Sequence, residues 1–349
     1  MFTRRTLARL MAAATVLPGP ALSQGRPPLS RIAFGSCANQ AMGQPIWEAV
    51  LSYRPDLFLF CGDNVYGDFN SSEAGNLKEA YAAAGKIAGY SKLRDSVSHL
   101  AVWDDHDYGL NDGGAEFPHK AVSKELFLDF WNAPASDIRR QREGIYDSRI
   151  IGPPGMRVQV ILLDVRWFRS PLKPTDQRGA PGKERYLPDP DPAKTMLGAA
   201  QWAWLAEELR KPAELRLLVS STQVLAEGHG WERWGNMPLE KQKLIDTIRA
   251  SGAKGVVLLS GDRHVGALYR ETPADLYPLY EITSSGLNMV YWAAKEAGPN
   301  RLGALYAAAN FGVVDVDWWE RRLVLALRDD GGNVRRSATI AFDEIGLTG

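Results

Sequence analysis

Short apolar runs that stop at small or acidic residues recur through the first three quarters of the chain. "RIAFGSC" and "DLFLFCGD" bracket "QPIWEAVLSYRP", whose spacing predicts a helix ended by Pro55. This is a β-α-β unit. The run-and-stop pattern returns in "HLAVWDDHD", "MRVQVILLDVRW", "ELRLLVSSTQ" and "AKGVVLLSGDRH", and each predicted strand ends in residues capable of metal or phosphate chemistry. Between them "KEAYAAAGKIAGYSKLRDSV", "GAAQWAWLAEELRK" and "LEKQKLIDTIRASG" carry helical spacing, the last closed by Gly252. The Pro- and Gly-rich "SPLKPTDQRGAPGKERYLPDPDP" reads as a surface excursion near a site. After Ser284, "GVVDVDWW", "RLVLALRDD" and "RRSATIAFDE" alternate or run apolar. They predict antiparallel strands closing a second sheet. There is no repeat, so one domain over residues 24–349 is the simplest organisation.

Composition narrows the function. With 349 residues, 45% hydrophobic and 10% aromatic, the chain can bury a large core. Its 41 Lys and Arg balance 41 Asp and Glu, so no global field recruits nucleic acid or an anionic membrane. No specific nucleic-acid or integral-membrane partner is expected, and an anionic substrate must be held locally. The opening "MFTRRTLARLMAAATVLPGPALSQG" sets Arg4 and Arg5 before an apolar run from Leu7 to Leu17, with Ala21 and Ser23 following. That order predicts an export signal over residues 1–23. "TRRTL" resembles the twin-arginine form, which implies the twin-arginine export machinery as a partner and a periplasmic or secreted location in a bacterium. Later runs stay below the roughly 18 apolar residues a membrane span needs. Export leaves a Cys37–Cys61 disulfide open, although Cys61 inside "LFLFC" also reads as a small core residue.

The strand ends carry the chemistry. In open α/β sheets ligands bind at the carboxyl ends of strands, and the acidic cluster "WDDHD" there is costly unless a cation compensates it. A two-metal hydrolytic site needs a bridging carboxylate between cations about 3.5–4 Å apart, so that a shared hydroxide can attack, with further ligands converging from several strands. The chain offers Cys37 in "GSC", Asp63 and Tyr66 in "GDNVY", Asp105 and His106 in "WDDHD", Gln223 in "SSTQ", and Asp262 and His264 in "GDRH". Each block alone is as well explained by caps and turns. Five in order point to a metal site.

These blocks resemble those of the binuclear metallophosphoesterases (the calcineurin-like superfamily), and in particular the alkaline phosphatase D, or PhoD-like, family. The likeness is strongest from Arg31 to Asn288. It implies an α/β/β/α sandwich of two mixed sheets with two metals at strand C-terminal ends. It implies that Cys37, Asp63, Tyr66 and His264 bind one metal, with Asp63 bridging, and that Asp105, Asp262 and Gln223 serve the other. Asp105 stands where the wider superfamily has Asn, and Asp262 where it has His. The resemblance assigns His106 to the leaving group or phosphoryl oxygens, with Asp107 orienting its ring, and suggests iron with calcium. Donor chemistry agrees: phenolate and thiolate favour Fe³⁺ and an oxygen-only site suits Ca²⁺, Mg²⁺ or Mn²⁺, with Zn²⁺ left open. The expected activity is hydrolysis of phosphate mono- and diesters by a metal-bridged hydroxide.

Other residues remain open. Arg166 after "VILLDV" either pairs with phosphate or braces its loop. His229, Trp231 and Trp234 in "EGHGWERWGN" form either a substrate rim or a packed lid. Asn111 and Asp112 either reach the second metal or build the "NDGG" turn. Asp104 has no assigned role. A monoesterase needs extra positive groups, and the sequence does not place Lys120, Lys124 or Arg166. Two rivals stand: a metal-free hydrolase with Cys37 as nucleophile, and a glycan-binding module using Trp231 and Trp234.

Overall fold

The computed structural model describes residues 27–348. The expected signal over residues 1–23 lies outside the described residues. In chain order the elements begin β1 (Arg31–Gly35), α1 (Ile46–Tyr53), β2 (Leu57–Cys61), α2 (Gly75–Ala84), α3 (Ala88–Ser96), β3 (His99–Val102), α4 (Asp105–Tyr108), α5 (Lys120–Phe130) and α6 (Ile138–Gln141). They continue with β4 (Asp147–Ile151), β5 (Val158–Leu162), the small hairpin β6 (Lys173–Pro174) and β7 (Tyr186–Leu187), α7 (Gly198–Arg210), β8 (Leu215–Ser220) and α8 (Pro238–Ser251). Six strands finish the chain: β9 (Val256–Ser260), β10 (Gly266–Glu271), β11 (Leu279–Ser284), β12 (Phe311–Asp317), β13 (Arg322–Arg328) and, beside it at the sheet edge, β14 (Val334–Ala341) as the last.

Two six-stranded mixed sheets result, ordered β14-β13-β12-β1-β2-β3 and β10-β11-β9-β8-β5-β4. The expected two-sheet sandwich is the fold found. The three C-terminal strands differ in placement from the expectation: they extend the first sheet, with β12 antiparallel to β1 in the register Ile32↔Val314. Alternation fixes which face a strand buries but not which neighbour it pairs with, and β1 had an open edge.

Period-2 alternation builds the layers. Leu215, Leu217 and Val219 of β8 and Val257 and Leu259 of β9 enter the core shared with Ile32, Phe34 and Val313 of the other sheet. Leu218, Val256 and Leu258 point the opposite way, onto Trp202 and Leu205 of α7 and Leu244 and Ile248 of α8. The apolar stripes of α1 and α3 cover the first sheet in the same manner, with Trp47 edge-on to Tyr90 at 5.2 Å. Helix α8 ends as the sequence predicts, on Gly252 in the left-handed region at φ 70°. Among the described residues no helix is long and apolar enough to cross a membrane.

The sheets meet at their carboxyl ends. Ser36, just past β1, bridges Ser285, just past β11. Contact that close requires glycine: a Cβ on Gly261 would stand 2.4 Å from Ser36 Oγ, and one on Gly62, at φ +93°, would stand 2.5 Å from Asp104 Cβ.

Candidate metal centre

Each expected ligand, Gln223 after β8 included, stands in the turn after a strand of this shared edge. Four of them, Cys37 (φ 63°), Asp63 (49°), Asp262 (70°) and His264 (56°), occupy the left-handed region that side chains other than glycine rarely adopt. Neighbouring backbone holds these turns. Ala38 N–H donates to Asp63 O at 2.9 Å, Ser285 Oγ accepts from His264 N–H at 2.7 Å, and Gly261 N–H donates to Ser221 O at 2.9 Å. Strain of this kind concentrates where a site dictates side-chain direction.

The donor atoms converge. Cys37, Asp63 and His264 each offer a ligand atom, all within 4.8 Å of one another, and so do Asp63, Asp105 and His106, then Asp104, Asp105 and Asp262. Asp63 and Asp105 are the members that link the groups. Tyr66 completes the first: its hydroxyl donates to Asp63 Oδ2 at 3.2 Å and lies 3.0 Å from His264 Nε2. Cys37 Sγ is 3.4 Å from Asp63 Oδ2 and 3.1 Å from Ser285 Oγ.

Protein charge balances this cluster only in part: against the effect of burial, His106 and Arg166 hold the Asp105 carboxyl below its usual range. Burial, then the neighbouring Asp105 and Cys37, hold the Asp63 carboxyl well above its usual range. Burial, then Asp104 and Glu232, do the same to Asp262. Burial pushes the Cys37 thiol up to about 12 and, with Asp63 and Cys37, raises the Tyr66 phenol. Burial and Arg263 push His264 down to about 4, leaving a neutral imidazole free to donate a lone pair. Acids pressed toward their neutral forms around a neutral imidazole are the donor set of a site that bound cations would stabilise. These residues fit two metal ions. They suit a cysteine nucleophile poorly, because activation needs a lowered thiol pKa and the groups bonded to Cys37 are Asp63 and two serines rather than a histidine.

His106 stands beside the donors with 19% of its side chain exposed. Burial alone would lower its pKa, but Asp105, Asp63 and Asp68 outweigh burial and hold it at about 10. The carboxylate on its ring is Asp68, whose Oδ2 is 2.6 Å from Nδ1. Asp107, the expected partner, turns away. Its Oδ1 accepts from Asp104 N–H at 2.6 Å and Asp63 N–H at 3.2 Å, and its Oδ2 from Asn64 Nδ2 at 2.6 Å. Asp107 therefore fastens the two acidic loops together rather than orienting His106. Asp68 had a sequence signal, lying five residues past Asp63 in the same loop, but adjacency to His106 favoured Asp107.

Several other expectations are corrected by packing. The structure does not bring Gln223 to the cluster: its Nε2 donates to Tyr269 Oη and Thr283 Oγ1, both at 3.0 Å, and its Oε1 faces His229 Nε2 at 3.1 Å. His229 is 1% exposed and cannot meet substrate there. Trp234 is fully buried with its Nε1 on Ser220 Oγ, whereas Trp231 remains half-buried at the rim. Arg166 is fully buried and braces: its Nη2 is 2.5 Å from Asp104 and its Nη1 2.7 Å from Glu232, which also takes Arg169 at 3.1 Å. Glu232, unmarked in the sequence, and Asp104 thus belong to an ion network behind the donors. Asp112 joins it, receiving Arg185 at 2.5 Å and Tyr186 Oη at 2.8 Å from the hairpin excursion while its own N–H donates to Asp105 Oδ2. Lys120 and Lys124 spend their ammonium groups on backbone carbonyls. Both cysteines are free, so the disulfide alternative is not realised.

Known proteins resemble this chain in sequence and in fold. A family profile described as PhoD-like phosphatase matches residues 32–295. Alkaline phosphatase D of Bacillus subtilis (strain 168) is 22% identical over 306 residues, covering 77% of this chain and 50% of that protein. The chain spans about half the length of that curated relative. Among solved structures, that of PhoD superposes with a TM-score of 0.66 at 16% identity over 91% of this chain and 69% of that one. GAP50, the anchor in the inner membrane complex of Plasmodium, gives 0.58 at 12% identity over 92% and 91%. Purple acid phosphatase PPD1 from yellow lupin seeds gives 0.56 at 12% identity over 92% and 55%. The structural likenesses identify the fold, which phosphatases and a membrane-complex anchor share. Activity must be argued from the site.

Proposed function

Because the chain belongs to the PhoD-like phosphatase family, we propose that it hydrolyses phosphate esters at a centre of two metal ions, one held by Cys37, Asp63, Tyr66 and His264 and the other by Asp105 and Asp262, with Asp63 shared. The observation that carries this reading is the overlap of donor groups through Asp63 and Asp105, where burial and neighbouring acids hold the Asp63 and Asp262 carboxyls well above their usual range. A phenol and a thiol on one side suit Fe³⁺, and carboxylates on the other suit Ca²⁺, Mg²⁺ or Mn²⁺. Bound there, the cations would supply positive charge for the phosphoryl oxygens and a more acidic water.

The chain's own residues do the rest. Asp68 accepts a hydrogen bond from His106 Nδ1–H, which leaves Nε2–H to deliver its proton to the departing alkoxide. The His106 backbone N–H on Asp63 Oδ1, at 3.2 Å, ties that acid to the bridging carboxylate. Arg166 pairs with Asp104 at 2.5 Å and stands 4.0 Å from Asp105, whose Oδ1 keeps no hydrogen-bond partner among the described residues. Export through the twin-arginine route, and one domain running from residue 24, complete the proposal and rest on "TRRTL" and on the continuous β-α pattern.

The test is hydrolysis of p-nitrophenyl phosphate and bis(p-nitrophenyl) phosphate before and after chelation. Loss of both activities on chelation and their return with iron plus calcium or manganese is expected. Activity indifferent to chelators and abolished by thiol alkylation would overturn the reading in favour of Cys37 as nucleophile.

A further inference from the structure

Exposed apolar side chains gather around the centre. Among the described residues eight large hydrophobic side chains are exposed, and four of them, Met42, Leu110, Tyr291 and Trp292, ride on segments bonded to the donor turns. Tyr291 N–H donates to His264 O at 2.8 Å, Met289 N–H to Cys37 O at 3.2 Å, and Leu110 N–H to Asp105 O at 3.1 Å. Asn288, which heads the same arm as Tyr291, reaches Met42 O through its side-chain amide. Trp292 is 83% exposed and Tyr291 38%, and Trp231 stands edge-on to Tyr291 at 6.2 Å. Clusters of exposed apolar groups mark ligand or partner surfaces, whereas scattered ones are ordinary.

Charge at this mouth selects the occupant. Arg185 and Arg263 lie 5.2 and 4.9 Å from the Trp231 ring, but each already pairs with a carboxylate, Asp112 and Glu296 respectively. The rim therefore offers flat π surfaces with its cations neutralised, which suits an uncharged planar group and gives an anionic lipid surface little to hold.

We infer that Tyr291 and Trp292 form a subsite for an aromatic substituent, an aryl or nucleobase ring, on the phosphate ester that the centre hydrolyses. The inference rests on the hydrolytic reading above and adds a substrate class to it. The experiment compares phenyl p-nitrophenyl phosphate with methyl p-nitrophenyl phosphate on the metal-loaded enzyme, since the leaving group is common and the retained substituent alone differs. The phenyl ester should have a kcat/KM about fivefold or more above the methyl ester, the factor an aromatic contact gives. Trp292→Ala and Tyr291→Ala should pull the ratio toward one. Trp319→Ala, which removes a tryptophan 87% exposed in the turn between β12 and β13, should leave the ratio as in the parent. Equal kcat/KM for both esters, or a ratio untouched by Trp292→Ala and Tyr291→Ala, would overturn the subsite. So would flotation with phosphatidylcholine vesicles that Trp292→Ala abolishes, because the aromatic arm would then serve a membrane surface. If neither ester turns over but phenylphosphonate still quenches tryptophan fluorescence at lower concentration than methylphosphonate, the hydrolytic reading fails and the subsite stands.

Discussion

Replacing Arg166 by methionine separates a brace from a phosphate contact. The guanidinium is fully buried between Asp104 and Glu232, at 2.5 and 2.7 Å, with both carboxylates almost fully buried. With Arg166 in place, burial already pushes Asp104 up to about 6 and Glu232 up to about 7. Without it neither can ionise at pH 8, and each pH unit over which a carboxyl is held neutral costs about 1.4 kcal/mol. Two further units for Asp104 and one for Glu232 give a loss of about 4 kcal/mol at pH 8, which lies within the range of about 3–5 kcal/mol for breaking one side of a buried pair. At pH 5.5 both carboxyls are largely protonated in the parent as well, so the loss there should shrink to about 1 kcal/mol, that of the remaining hydrogen bonds. Urea titration of the metal-free parent and Arg166→Met at the two pH values measures the difference. A loss equal at pH 5.5 and 8 would refute the protonation argument. An unchanged stability with a raised KM would return Arg166 to the substrate.

Three more predictions concern pH and the proton donor. Once cations neutralise Asp63 and Asp105, Asp68 is the carboxylate left to sustain the high pKa of His106. Asp68→Asn should therefore cut kcat about 10- to 100-fold, most for poor leaving groups, and move the alkaline limb of the pH–rate profile downward. Asp107→Asn should instead lower the unfolding free energy, by about 1–3 kcal/mol, with no movement of that limb. Without metal the protein should lose stability between pH 7 and 9. There Asp107, raised to about 8 by burial, and His106, held at about 10, still keep protons that the unfolded chain has released. The folded state binds more protons in that window, so stability falls as pH rises, on the order of 1 kcal/mol per pH unit or more. Thermal melts at pH 7, 8 and 9 should show the fall in the metal-free protein and not in the loaded one, and a flat metal-free profile would contradict it.

What could be read in advance followed from local physics. "LFLFCGD" and "VVLLSGD" announce buried parallel strands ending in a glycine that permits close approach and an acid placed by it, and both blocks arrive at the centre. Polar residues whose partners are distant were not legible. Arg166 meets Asp104 across 62 positions and Gln223 meets Thr283 across 60, so both looked available when both are buried and satisfied. Asp107 misled for a local reason: successive residues on a helix do not face each other. From the third position of α4 its carboxylate turns back onto the helix start, while Asp68 arrives from a different loop. Pairing of β12 with β1 depended on a vacant sheet edge, which alternation does not encode.

The most direct test of the two-metal centre is elemental mass spectrometry of the purified mature protein beside Asp63→Asn, with aryl phosphate hydrolysis measured on the same samples. About two metal ions per chain in the parent, with iron among them, and loss of both metal and turnover in Asp63→Asn are the expected result. A parent that hydrolyses phosphate esters while carrying no stoichiometric metal, or an Asp63→Asn protein that keeps both ions and full activity, would contradict it.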